Sequence, residues 1–279
     1  MGLHTGQIAT LRILPAPPGK GIIFRRVDLD NFEIRADVAS VARVAYATTL
    51  MKKGVWISTV EHVLSALYGM GIDNAYIELD NFEVPILDGS ALPYTDAIAR
   101  VGIVQQNRPR AYIRITREFV LEEGEKKIAI YPADNFSIKY EIDFSHPLIG
   151  RQQREITMTA ANYASLIAPA RTFGFEYEVE KLQASGLVRG GSLENAIVLT
   201  ETGMLNDTSL RFEDEFVRHK MLDLLGDFAL IGQPVLGRLV ATRAGHAMHT
   251  RLVAELLDST SHWMLDTESD EVSVPSSRR

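Results

Sequence analysis

Apolar and polar positions along the chain alternate at strand spacing in some stretches and recur at helical spacing in others. In "STVEHVLSALYGMG", Val60, Val63, Leu64 and Leu67 share one face, and the run stops at Gly69 and Gly71, which predicts a helix. Further helices are predicted after the turn in "DGSALPYTDAIARVGI", near 159–167, over about 213–231, and at 245–258. Residues 7–14 and 21–25 read as strands around the turn-rich "PAPPGKG"; 55–57 ends another, and "NAYIELD" alternates as one. Strands follow at 111–121, 127–131, 136–143 and 236–242. The segment "RTFGFEYEVEKLQASGLVRGGSLENAIVLT" reads as loop, helix, glycine-rich turn and strand. The polar, proline-containing "NRPR" at 107–110 marks a linker, dividing the chain into α+β domains at 1–107 and 108–279. The polar tail after Ser259 is expected to be loosely held.

Within the helix predicted over 213–231, "VRHKMLDLLGDF" carries a narrow polar stripe. At about 100° per residue, His219, Lys220, Asp223 and Asp227 fall within an arc of roughly 100°. Met221, Leu222, Leu224, Leu225 and Phe228 fill the rest of the cylinder. A helix this apolar belongs in an interior, and ionisable groups carried into an interior need partners. The two halves of the chain also look alike. Val60-Glu61-His62 opens a helix that runs to a glycine, a strand and a second helix, and Val217-Arg218-His219 does the same. Two copies of one α+β unit facing each other would let the histidines meet.

Composition narrows the function classes. The 279 residues are 46% hydrophobic and 23% charged, and long enough to bury a core. A net charge of −7 argues against a general nucleic-acid binder, which needs a basic face. No apolar run has the length of an integral membrane segment, and the start has no signal-peptide pattern, so a soluble, cytoplasmic protein is expected. The absence of cysteine excludes disulfides, a thiol nucleophile and a thiolate metal site. Any metal must use His, Asp, Glu or water.

His219 and Asp223, at i and i+4, can reach one ion, or can form a His–Asp pair on a solvated face. Glu61 fits a capping box with Ser58, and His62 can simply pack. In the functional reading His62 joins His219 and Asp223 as a third ligand, the usual complement of a catalytic zinc. Glu61 is then the carboxylate that takes a proton from the water that zinc acidifies. His246 can serve as an acid oriented by Asp227, or be structural. Thr172, in "RTFGF", can place its hydroxyl at an oxyanion or sit in a tight turn. Lys220 and Arg243 can bind phosphate or face water, and Gly191 lies in "RGGS", which reads as a turn more than as a phosphate loop.

The motifs "GLHTG", "STVEH", "GIDN", "DGSA", "RTFGF", "GGS", "RFEDEFVRHKMLDLLGD" and "GH", in that order, resemble the LpxC family of zinc-dependent UDP-3-O-acyl-N-acetylglucosamine deacetylases across essentially the whole chain. The resemblance implies two related β-α-α-β domains packed as a layered sandwich, with the active site between them and a βαβ insert in the second. It implies zinc on His62, His219 and Asp223, Glu61 as general base, and His246 as a catalytic histidine held by Asp227. It also implies Thr172 at the oxyanion, and Phe173 and Lys220 at the substrate. The insert at 174–203 would form the acyl passage, lined by Val179, Leu182, Leu187 and Leu193. The implied reaction is hydrolysis of the 2-acetamido group of UDP-3-O-acyl-N-acetylglucosamine, releasing acetate, at the committed step of lipid A synthesis. A monomer acting on a small molecule is expected. The family has a short strand ahead of "GLHTG"; here Met1 directly precedes Gly2, which is expected to leave a neighbouring strand unpaired. Rival readings are a zinc amidase acting on another acylated sugar, a sugar-nucleotide-binding module without turnover, and a zinc that only stabilises the fold. Against the last stands the ligand count, since structural zinc usually has four protein ligands.

Overall fold

The structure, a computed structural model, describes residues 1–267. The first part of the chain forms β1 (Leu11–Pro15), β2 (Ile22–Arg26), β3 (Phe32–Arg35), β4 (Val41–Arg43), β5 (Thr49–Lys52), β6 (Val55–Ser58), α1 (Glu61–Gly69), β7 (Ala75–Leu79) and α2 (Leu92–Val101). One sheet has the order β1-β7-β2-β3, with β7 antiparallel to β1 and parallel to β2. A smaller antiparallel sheet has the order β4-β5-β6.

The remainder forms β8 (Tyr112–Ile115), β9 (Phe119–Glu123), β10 (Lys126–Tyr131), β11 (Phe136–Phe144), β12 (Gly150–Thr157), α3 (Ala160–Leu166), β13 (Phe173–Phe175), α4 (Glu176–Ala184), β14 (Ile197–Leu199), α5 (Glu215–Phe228), β15 (Val235–Thr242), α6 (His246–Asp258) and β16 (Trp263–Asp266). Its main sheet runs β12-β11-β15-β10-β9, and β8 and β16 continue it from the start of β15. β13 and β14 pair in parallel with α4 between them, the β-α-β insert implied by the resemblance.

The architecture is mixed α+β, and two helices lie at its centre. α5 packs on α1 on one side and on β11 and β12 on the other. Leu64 and Leu67 of α1 share a small cavity with Ile22 and Ala36 at the β2–β3 sheet, so the layers run sheet, α1, α5, sheet. One continuous core of buried residues spans them, from Phe24 and Ile34 through Leu64 and Phe216 to Tyr140 and Leu239. Every residue of α5 except Lys220 is buried. The crossing is very close at Gly226: a methyl group there would sit 2.0 Å from the Glu61 carbonyl oxygen. Only glycine lets the two helix backbones meet at this distance.

Several elements differ from the sequence reading. The stretch 111–121 is two strands, β8 and β9, because Thr116 and Arg117 break off to donate to the His262 carbonyl. β12 has too few apolar residues for its alternation to read as a strand: as "GRQQREIT" it forms the edge of its sheet, half-buried and exposed positions alternating. The tail after Ser259 is not loosely held at its start, since Trp263–Asp266 pairs antiparallel with β8 and the Trp263 indole donates to the Leu256 carbonyl. The rest of that tail, 268–279, lies outside the described residues.

Candidate active site

The α1–α5 crossing brings the two histidine-bearing helices face to face. The His62 and His219 rings lie with centroids 5.2 Å apart. Asp223 Oδ1 is 3.3 Å from His219 Nε2 and 3.7 Å from His62 Nε2. Ligands bound tetrahedrally at about 2.0–2.2 Å from a zinc ion lie roughly 3.3–3.6 Å from one another; the His219–Asp223 separation falls in that range, the His62–Asp223 separation lies just above it, and all three ligand atoms lie within 4.8 Å of one another. Chemistry supports the fit. The His219 Nδ1–H donates to the Ala170 carbonyl at 3.1 Å, which leaves Nε2 bare and aimed at the cluster. His62 is buried, its Nδ1 has no hydrogen-bond partner, and its Nε2 is out of hydrogen-bond range of Asp223. The Nε2 that faces the cluster thus makes no hydrogen bond and is open to a ligand.

Protonation favours a cation. Burial, with His219 next, lowers the His62 pKa to about 3, and burial lowers that of His219 although Asp223 opposes it. Burial alone would raise Asp223, but His219 and Lys220 outweigh it and hold the carboxyl well below the usual range. Two neutral imidazoles and an ionised carboxylate are the forms that bind metal.

Glu61 does not form the capping box with Ser58. Thr59 turns the chain in the left-handed region (φ 59°), Ser58 stays in β6 bonded to the Thr49 hydroxyl at 2.9 Å, and the start of α1 carries no side-chain cap. Glu61 Oε2 accepts instead from the Thr48 amide at 3.1 Å. It is buried, which with Asp227 and Asp223 raises its pKa to about 8 against the opposing pull of His246. Across from it, the His246 Nδ1–H donates to Asp227 Oδ2 at 2.7 Å. Burial would lower His246, but Asp227 raises it to about 9. Thr48, which the sequence reading passed over, bridges the two acids: its hydroxyl donates to Asp227 Oδ1 at 2.5 Å.

The other candidates divide. Thr172 follows Ala170 and Arg171 at the cluster's edge, fixed by its amide on Gly89 and its carbonyl on Ile197, and its hydroxyl has no protein partner among the described residues. Arg171 anchors this loop through a buried ion pair with Glu215 at 2.9 Å. Phe173 packs its ring 6.2 Å from that of His219, and Lys220 lies 5.7 Å over the Phe173 ring with its ammonium on Asp223 Oδ2 at 2.8 Å. Arg243 is held apart, its guanidinium taken by Glu125 and Asp143. The "RGGS" amides are also spent: those of Arg189 and Gly190 donate to the His4 and Leu3 carbonyls, and that of Gly191 donates to Val188. Neither Arg243 nor Gly191 therefore presents a free donor to an anion. Thr49, next to Thr48, lines a cavity of about 370 Å³. Leu187 lines that cavity beside Tyr46, Ala47 and Trp56; Val179 and Leu182 are half-buried on α4, and Leu193 is 47% exposed.

The sequence profile described as "LpxC: UDP-3-O-acyl N-acetylglycosamine deacetylase" matches residues 1–258. The chain belongs to the LpxC family. Among its LpxC-family relatives is a protein of Solibacter usitatus, 50% identical over 267 residues, which cover 96% of this chain and 90% of the relative. Proteins of Cellvibrio japonicus (43% over 278 residues, 99% and 92% covered) and Saccharophagus degradans (44% over 276, 98% and 91% covered) are also similar. All three are named UDP-3-O-acyl-N-acetylglucosamine deacetylase. Among the described residues of this LpxC chain, no helix is long and apolar enough to cross a membrane.

Proposed function

We propose that the chain is a zinc-dependent hydrolase that removes the acetyl group from the 2-amino position of UDP-3-O-acyl-N-acetylglucosamine, the committed step of lipid A (lipopolysaccharide) biosynthesis. The observation that carries this reading is the meeting of His62, His219 and Asp223 in one buried cluster, with Glu61 and the His246–Asp227 pair beside it. His62, His219 and Asp223 would hold the zinc. When bound, zinc acidifies a water and polarises the amide carbonyl. Glu61 accepts the proton of the attacking water; the Thr48 amide fixes its carboxylate. Thr172 donates its free hydroxyl to the oxygen on which negative charge grows, where preorganised donors contribute most. His246, held protonated by Asp227, stabilises that charge and supplies a proton to the departing amine.

Lys220 and Phe173 flank the sugar, and the 3-O-acyl chain runs along the insert at 174–203 past Leu187. We take the chain to act as a monomer and place the reaction in the cytoplasm. The test is one measurement on one sample: metal content and acetate release from the nucleotide sugar. About one zinc per chain with acetate release supports the reading. Zinc without acetate would leave a binding module, and acetate release only from other acylated sugars would reassign the substrate.

A further inference from the structure

Asp227 is fully buried and carries a third donor that the reaction just described does not use. α6 places His246 and His249 at i and i+3, on one face of the helix. Both turn Nδ1 toward the same oxygen: Asp227 Oδ2 lies 2.7 Å from His246 and 2.9 Å from His249. With Thr48 on Oδ1, three side chains grip the carboxylate, two from α6 and one from the residue just ahead of β5. On its far side, His249 Nε2 is 3.1 Å from the Tyr140 hydroxyl, which is also 2.7 Å from the Ala244 carbonyl.

We propose that His249 is a positioning residue for the deacetylation, a second imidazole that clamps Asp227 and so decides how Asp227 holds His246. The inference rests on the reading of His246 as the acid. His249 is itself 1% exposed and its outer nitrogen is closed off by Tyr140, so it acts only through Asp227. The groups that face the pair are Asp227 and Asp223 from α5, Glu61 from α1, Thr48 just ahead of β5 and Tyr140 from β11.

The Tyr140 hydroxyl donates to the Ala244 carbonyl at 2.7 Å, so it turns a lone pair rather than a proton toward His249 Nε2. The His249 Nδ1–H donates to Asp227 Oδ2. A donor on Oδ2 does two things. It fixes the plane of the carboxylate, so that His246 keeps Nδ1 on Asp227 and aims Nε2 at the cleft. It also takes up part of the negative charge, so that Asp227 holds the His246 proton less tightly than it otherwise would.

The deciding experiment compares His249→Ala and His249→Asn with wild type, each with its zinc content and melting curve. Asparagine is included because its amide can donate to the same oxygen. For His249→Ala, kcat is expected to fall about 10–100-fold, as is usual for a lost outer-shell partner. The alkaline limb of its pH profile should rise by roughly 0.4–1 pH unit, the equivalent of one hydrogen bond. His249→Asn should return the limb to the wild-type position. The His246 ring is also titrated by NMR in each protein, which needs no turnover. Its midpoint should move up in His249→Ala and back in His249→Asn. A folded, zinc-loaded His249→Ala with wild-type kcat and an unmoved limb overturns the proposal. So does a rate loss that His249→Asn shares with no change in the His246 midpoint, which would mark a packing role. If the wild type releases no acetate, the functional reading fails, and the NMR titration still decides whether His249 governs the His246–Asp227 pair.

Discussion

Replacing Glu61 by Gln separates acid–base chemistry from structure at one atom. Gln keeps an oxygen for the Thr48 amide but cannot accept a proton. Glu61→Gln is therefore expected to retain its metal and melting temperature while the rate falls by roughly 10²–10⁴-fold. Metal analysis beside initial rates checks this, and near-normal turnover would require another base. His62→Ala, His219→Ala and Asp223→Ala should each lose zinc, and retention by all three would remove the site. His246 gives a pH signature in the metal-stripped protein. Its folded pKa, about 9, lies above its unfolded value of 6.5, so its stabilisation is complete below pH 6.5 and lost as pH rises through 9. Glu61, raised from 4.5 to about 8, loses stability in the same direction over an overlapping window. The part specific to His246 is the decline in melting temperature that disappears in His246→Gln.

At the scale of elements, the stripe on α5 was legible because one narrow set of ionisable groups interrupts an otherwise apolar cylinder. The repeated Val-x-His openings of two helices also pointed to a meeting of histidines. What joins the elements was not legible. Thr48 sits just ahead of a short strand, in "ATTL", which carries no periodic signal, and its reach to Asp227 depends on where α5 passes. His249 was open to discovery from its i, i+3 spacing with His246, but nothing in the sequence says that both point at one carboxylate. Arg243 and Gly191 drew notice for their residue types, and the structure spends their donors locally. Gly226 is the element-scale lesson. Alanine favours a helix more than glycine does, yet Gly226→Ala is expected to destabilise by about 1–3 kcal/mol, as overpacking does. It should also weaken zinc binding, because spreading α1 from α5 separates His62 from Asp223. Denaturant melts and a metal titration check both, and wild-type values would mean the crossing relaxes freely. On the insert, a Leu187→Asp change should weaken long-chain substrates more than short-chain ones, since it puts a charge on the wall of the cavity. Equal losses would place the acyl chain elsewhere.

For the whole molecule, the pattern of strands and helices fixed the class, α+β, while sheet order depended on pairings between distant segments that local pattern does not encode. β2 beside β7, β11 beside β15 and β8 beside β15 are parallel neighbours brought together only by the completed fold. The same distance in sequence governs the site. Thr48 and Asp227, one hydrogen bond apart in space, are 179 residues apart in the chain. During synthesis, Glu61 and His62 leave the ribosome long before α5 exists. A nascent chain therefore cannot assemble the three-residue cluster until nearly all of it has been translated, and an incomplete one ending before α5 has nowhere to hold the ion. A metal bound at the proposed three-residue set would therefore report that translation has passed Asp223 and that α5 has packed on α1.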